Sequence, residues 1–362
     1  MGINEPLTIR DLVIKNRLSV PPMVCFHWTG DDGYVTEKNL EHYEALAKGG
    51  FGLIIVEATA VTKRSRLHET ELGLWEDGQI EGMTGIVDRI HQHGAKAFIQ
   101  LVHAGINGID PEAETASDFP RKYGIAGHEM SRERIRETTD DYAQAAIRAQ
   151  KAGFDGIELH GCHGYLLSQF MNERVNHRTD EYGTDRTLLA KEILTAVRNA
   201  CGKNMIVGIR LGAFEPLLKD GLEHAQALAP YTDFLDVSYG GDFDAEKPED
   251  FPASHAVFGA SRVKQLLPEM PVFAVDRINS GEDVQYVLSL GIDMADIGRA
   301  ALVDPAFAEH VLSGGTAGKC LHCPKGCRWN PDGMKDPDRK CPGAVLYTRG
   351  QVAKHPLLIV FH

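Results

Sequence analysis

Eight short, nearly continuous apolar runs recur along the chain, and most lead into an amphipathic stretch of helical period. The runs are Leu18–Val24, Leu53–Val56, Ala97–Val102, Gly156–His160, Met205–Leu211, Phe234–Ser238, Val272–Val275 and Met294–Gly298. Strands that are apolar throughout and rich in Ile, Val and Leu are those of parallel sheets, buried on both faces. Between them Glu37–Lys48, Ile80–His93, Arg132–Lys151, Thr187–Ala200, Leu222–Leu228 and Glu282–Leu290 read as helices. Several close on glycine, as in Lys151-Ala152-Gly153 and Leu290-Gly291. Eight alternations predict an α/β chain folded as a (β/α)8 TIM barrel, which takes about 250 residues. A doubly wound sheet is the competing arrangement, but no G-x-G-x-x-G follows any strand.

With 362 residues there is room for more than the barrel. The division expected is a barrel over residues 1–312 and a short C-terminal cysteine-rich extension over 313–362. A formal charge of −13 argues against nucleic acid or an anionic membrane surface as partner. Met1–Pro6 lacks the basic and apolar segments of a signal peptide, and Leu357–Phe361 is far too short to span a bilayer. A cytoplasmic location is therefore expected. In that compartment seven cysteines point to metal or redox chemistry rather than disulfides.

Active sites of such barrels sit at the C-terminal ends of the strands. There the chain places Val24-Cys25, Glu57-Ala58, Gln100, His103, the group His160, His163 and Tyr165, then Arg210, and finally Gly298-Arg299. Two imidazoles and a phenol at one strand exit can hold an oxygen and deliver a proton. They can equally be loop residues, or a metal site short of its carboxylate. Arg210 and Gln100 lie inside apolar runs, where each needs a ligand or an internal polar network.

Together these segments resemble the old yellow enzyme family of FMN-dependent oxidoreductases, over roughly residues 5 to 312. The markers are Pro6-Leu7, Ile14-Lys15-Asn16-Arg17, Pro22-Met23, Gly33-Tyr34-Val35-Thr36 with His42-Tyr43, and Gly52–Glu57. They continue in Gln100–Gly105, His160–Leu166, Asn176–Gly183 and Asp296–Ala300. The resemblance implies that Pro22, Met23 and Val24 line the isoalloxazine, Ala58 backs it and Gln100 bonds its pyrimidine edge. Arg210 would sit at the N1/O2 end, and Gly298 and Arg299 would grip the phosphate. It also implies that His160 and His163 hold a substrate carbonyl oxygen while Tyr165 supplies a proton. The activity so implied is reduction of the C=C bond of an α,β-unsaturated carbonyl compound (an enone or enoate), with NAD(P)H reducing the flavin at the same open face.

The chain also departs from the family pattern. Val24 stands where Thr or Cys is frequent, with Cys25 one step later. The segment after Tyr182-Gly183 is short (Thr184-Asp185-Arg186), and Asp276-Arg277 replaces glycine near the phosphate, where Asp276 repels unless turned away.

Cys320, Cys323 and Cys327 form C-x2-C-x3-C, and Cys341 follows after a further thirteen residues. Four thiolates so spaced suit a [4Fe–4S] cluster or tetrahedral zinc, four unliganded thiols being the remaining case. The motif resembles that of the 2,4-dienoyl-CoA and 2-enoate reductase branch, whose additional nucleotide-binding half this chain lacks. An iron–sulfur cluster here would call for an external electron-donor protein. The rival readings are an oxidative, amine-dehydrogenase-like member, a flavin/Fe–S electron carrier or redox sensor, and a flavin-free metal lyase. Substrate, NADH or NADPH preference and assembly into a homo-oligomer leave no signature.

Overall fold

All eight apolar runs become strands of one closed parallel barrel, paired in sequence order around the circle. They are β1 (Leu18–Val20), β2 (Leu53–Ala60), β3 (Lys96–Val102), β4 (Gly156–Gly161), β5 (Ile206–Gly212), β6 (Phe234–Ser238), β7 (Val272–Ala274) and β8 (Met294–Asp296). The computed structural model describes residues 1–350 other than 121–125, 241–245, 324–325 and 337. The apolar run at 357–361 thus lies outside the described residues. Strand β1 is shorter than its apolar run because Pro21 and Pro22 have no N–H to give a ladder.

A helix follows each strand: α1 (Glu37–Lys48), α2 (Ile80–His91), α3 (Arg132–Ala152), α4 (Leu188–Cys201), α5 (Leu218–Leu228), α6 (His255–Leu266), α7 (Gly281–Ser289) and α8 (Arg299–Val303). Serines cap three of them: Ser131, Ser254 and Ser280 each accept from the N–H three residues on. Gly153 ends α3 at φ 96°, a left-handed turn that favours glycine.

The barrel's interior is layered. At the lower end Leu53, Ile55, Phe98, Ile206, Phe234, Phe273 and Met294 form a buried apolar plug. Leu7, Ile9 and Ile14 of the antiparallel hairpin Leu7–Ile9/Leu12–Ile14 close it from below. Phe234 stacks on Phe273 at 4.8 Å between ring centroids. Room for the rings comes from glycine: a Cβ on Gly208 would meet the Phe234 ring at 2.1 Å, and one on Gly156 the Phe98 ring at 2.6 Å. With its floor filled, the barrel opens only upward, toward the strands' C-terminal ends.

Beyond Leu312 the chain folds back on the barrel. Helix Pro342–Thr348 packs on α8, and Tyr347 Oη lies 3.0 Å from His310 Nδ1, whose same nitrogen is 2.9 Å from Asp304 Oδ2. No helix among the described residues is long and apolar enough to cross a membrane.

Candidate active site

Above the plug lies a polar layer built from side chains of six strands. Strand register brings Gln100 level with Glu158, and Arg210 level with both His160 and Asp236. Gln100 Nε2 donates to Glu158 Oε1 at 2.7 Å, Arg210 Nε stands 3.3 Å from Asp236 Oδ2, and Ser19 Oγ donates to Asp296. All are buried. Burial pushes the Glu158 and Asp296 carboxyls well above the usual range, and Asp236 adds to the rise on each while Arg210 opposes it. Burial also works against the Arg210 charge, but Asp236 and the other acids more than restore it. Arg210 Nε, both Asp236 oxygens and one oxygen each of Glu158 and Asp296 make no hydrogen bond among the described residues. Orphaned polar atoms at this depth call for a ligand.

Immediately above is a cavity of about 930 Å³, lined by Pro22, Met23, Arg210, Ser238, Asp276, Arg277, Asp296, Gly298 and Arg299 among others. Its size is at the upper end of that of cofactor sites. Five residues expected to bind the flavin therefore share one cavity: Pro22, Met23, Arg210, Gly298 and Arg299. The proline-methionine stretch offers an apolar wall, Arg210 a buried cation, and the Gly298-Arg299 turn into α8 backbone amides beside a guanidinium. That donor set fits an aromatic ring system with a phosphate tail.

The other three expected ligands stand outside its lining. Val24 is half-buried, whereas Cys25 is 3% exposed, its N–H donating to Glu57 Oε2 at 2.6 Å. Glu57, pushed up to about 7 by burial, is thereby an anchor for the Pro22–Cys25 loop, with Tyr43 Oη donating to it at 3.2 Å. Ala58 is 4% exposed in β2. Gln100 turns to Glu158 and to His160, whose Nδ1 is 2.7 Å from Gln100 Oε1. His103 turns away: its Nδ1 accepts from the Gly105 N–H at 3.0 Å.

His160, His163 and Tyr165 do come together. The His160 ring lies 5.2 Å from His163 and 4.8 Å from Tyr165, both edge-on. His163 and Gly164 have φ of 61° and 71°, so the chain turns sharply as it leaves β4. The turn is held: the Gly164 N–H donates to Glu215 at 3.2 Å, and Asn107 Nδ2 to the Gly164 carbonyl at 2.7 Å. His163 Nε2 is 2.8 Å from Ser238 Oγ. Burial lowers both imidazoles, His163 to about 3, with His163 and Arg210 adding to the effect on His160. Burial pushes the Tyr165 phenol up, and Glu71 adds to it. Near neutral pH the three groups are thus two neutral imidazoles and a protonated phenol. Glu158, Asp236 and Ser238 were given no site role in the sequence, and Asp296 entered only as the start of the Asp296–Ala300 segment; for the three acids a carboxylate in the middle of an otherwise apolar run was the available signal.

At the Gly298-Arg299 end of the cavity Asp276 and Arg277 adopt φ of 87° and 59°, in the region glycine prefers. Asp276 accepts from Arg299 Nη2 at 2.8 Å. Behind these arginines is a second cavity of about 270 Å³, lined by Cys320, Cys323, Cys327 and Cys341 with Arg277, Arg299 and Trp329. The four cysteines are free and partly buried. Among the described residues no three of their sulfurs lie within 4.8 Å of one another.

A curated NADPH dehydrogenase of Listeria innocua serovar 6a is 35% identical over 328 residues, 88% of this chain and 95% of that protein. The old yellow enzyme homologue from Zymomonas mobilis has the same fold (TM-score 0.76, 23% identity, 93% of this chain and 99% of that one). So does histamine dehydrogenase from Rhizobium sp. 4-9, with TM-score 0.79, 25% identity and 92% of this chain covered, although the match spans only 52% of that longer protein. Residues 3–316 match the NADH:flavin oxidoreductase / NADH oxidase family, the old yellow enzyme family, and the chain belongs to it as an NAD(P)H-dependent flavin oxidoreductase.

Proposed function

We propose that the protein is an FMN-dependent ene-reductase acting on α,β-unsaturated carbonyl compounds. The observation that carries this reading is the trio of uncharged proton carriers, buried His160 with half-buried His163 and Tyr165, packed ring against ring where β4 meets the mouth. Bound FMN, once reduced by NAD(P)H, supplies hydride to the alkene carbon β to the carbonyl. The chain's residues do the rest. Imidazole N–H groups of His160 and His163 hold the carbonyl oxygen and stabilise the negative charge that builds there. Tyr165, kept protonated by burial, gives its proton to the α-carbon. Arg210 carries positive charge at the base of the cavity, and the Pro22–Met23 wall keeps water from one side. Pro22, Met23, Val24, Ala58, Gln100, Arg210, Gly298 and Arg299 are proposed as the flavin's contacts.

We further propose that Cys320, Cys323, Cys327 and Cys341 hold a [4Fe–4S] cluster. The C-x2-C-x3-C spacing and the gathering of all four cysteines around one cavity support a metal centre here, with zinc as the alternative. Such a cluster would pass single electrons, and its position behind Arg277 and Arg299 supports delivery toward the flavin cavity from an external donor protein.

The test is anaerobic. NADPH should bleach the flavin of the purified protein, and an added enone should restore its colour with one alkene reduced per flavin. Reoxidation by a redox protein but by no enone would favour an electron carrier, and reduction by amines without NADPH an oxidative member. Four irons per chain support the cluster; one zinc and no iron would remove it.

A further inference from the structure

Gln100 stands between a group that titrates and a group that tautomerises. Its amide is 2.7 Å from Glu158 Oε1 on one side and 2.7 Å from His160 Nδ1 on the other. The three residues are 1%, 0% and 6% exposed, so no water competes freely for these contacts. The two hydrogen bonds cannot be chosen independently, because an amide has one oxygen end and one nitrogen end. An ionised Glu158 only accepts, so the NH2 faces it and the amide oxygen faces His160. The neutral imidazole then carries its proton on Nδ1, and Nε2 is left as a lone pair beside the Cys162 thiol, 3.7 Å away. A Glu158 protonated on Oε1, the oxygen that faces Gln100, donates instead. The amide oxygen turns to it, the NH2 turns to His160 Nδ1, and the imidazole must carry its proton on Nε2.

We propose that Glu158, acting through Gln100, sets which ring nitrogen of His160 carries the proton, and so whether Nε2 can donate to a substrate oxygen. This rests on the reading of His160 as a ligand of that oxygen. Glu158 and Gln100 are then positioning residues, with no need to touch the substrate. The surroundings pull Glu158 in both directions. Glu158 faces Asp236 on β6 and Asp296 on β8, which with burial favour its acid form, and Arg210 on β5, which opposes it. His160 faces His163, Arg210, Cys162 and Tyr165, and the first two, with burial, keep the ring neutral in either state. Gln100 spends one N–H and one lone pair in both arrangements, and the remaining N–H and lone pair are free for the pyrimidine edge it is expected to meet.

The experiment follows binding of cyclohex-2-enone to the oxidised holoenzyme by perturbation of the flavin spectrum, across the whole pH range in which the holoenzyme stays folded. In the wild type, affinity should fall about tenfold from the acid to the alkaline limb, the loss of one donor. In Glu158→Gln an amide whose NH2 faces Gln100 donates at every pH, so affinity should stay at the tight limb throughout. A Glu158→Gln protein that keeps the wild-type pH dependence, or binds weakly at every pH, overturns the relay. Nitrogen-15 spectra of histidine-labelled protein read the same switch without enone, with His160→Ala identifying the resonances. The His160 proton should move from Nε2 to Nδ1 as pH rises in the wild type and stay on Nε2 in Glu158→Gln. One tautomer at both ends of the wild-type range overturns the proposal even if the variant is unstable. A tautomer switch together with undiminished enone binding by His160→Ala leaves the relay standing and removes the oxygen-binding reading.

Discussion

Replacing Arg210 by methionine should destabilise the barrel in a pH-dependent manner. Arg210 is the cation that Glu158, Asp236 and Asp296 share, and its Nε is 3.3 Å from Asp236 Oδ2 with side-chain exposures of 7% and 0%. At an effective permittivity of about 20 this pair is worth roughly 5 kcal/mol before desolvation is charged against it. Breaking a buried pair by removing one partner costs about 3–5 kcal/mol. Arg210 also opposes the rise of the Glu158 and Asp296 carboxyls, so without it both go higher still. The sign follows. Carboxyls raised in the folded state bind more protons there than in the unfolded chain, so their contribution is fully present below the ordinary carboxylate range. It is lost as pH rises through the raised folded values. The variant should therefore be about 3–5 kcal/mol less stable near pH 8 and recover part of the deficit near pH 5. Urea unfolding followed by circular dichroism, with FMN in excess, measures both. Asp236→Asn in the same background should restore much of the loss by removing the stranded charge. A deficit under about 1 kcal/mol, or one that neither pH nor Asp236→Asn changes, would refute the charge accounting.

Tyr165→Phe should slow alkene reduction by about 10²–10⁴-fold while NADPH reduces the flavin at near wild-type rate; equal loss in both half-reactions, measured by stopped flow, would remove the proton-donor role. Gly208→Ala forces a methyl into the Phe234 ring, where an ideal Cβ would sit 2.1 Å away. It should cost about 1–3 kcal/mol in a denaturant titration, and a neutral result would mean the plug is looser than drawn. Cys323→Ser together with Cys341→Ser should cut bound iron to near zero by elemental analysis. Iron retained at four per chain would place the cluster elsewhere.

The barrel was legible because its signal is local. Each strand falls on an apolar run of four to seven residues, and each expected helix fell within a few residues of its observed span. Helix α6 was not expected, since apart from Val257 and Val263 its buried face is Ala256, Gly259, Ala260 and Ser261, residues too small to mark a period. Boundaries slipped where chemistry rather than hydropathy decides them, as at Pro21-Pro22. The trio of His160, His163 and Tyr165 was legible because six consecutive residues at one strand exit carry it. The polar layer was not. Glu158, Asp236 and Asp296 come from strands far apart in sequence and meet only across the lumen, so along the chain each is a lone acid inside an apolar run. Asp276, expected to repel a phosphate unless turned away, is bonded to Arg299, a pairing that depends on the left-handed backbone at residues 276 and 277.

Arg277 and Arg299 line the 930 Å³ cavity on one side and the cysteine cavity on the other. A wall with two faces has a thermodynamic consequence. Whatever fixes these guanidiniums from one side lowers the entropic cost of fixing them from the other, and linkage makes that benefit mutual. Flavin and cluster would then be retained or lost as a pair. A preparation stripped of iron should release its flavin more readily, and one stripped of flavin should lose its iron faster, although neither group need touch the other.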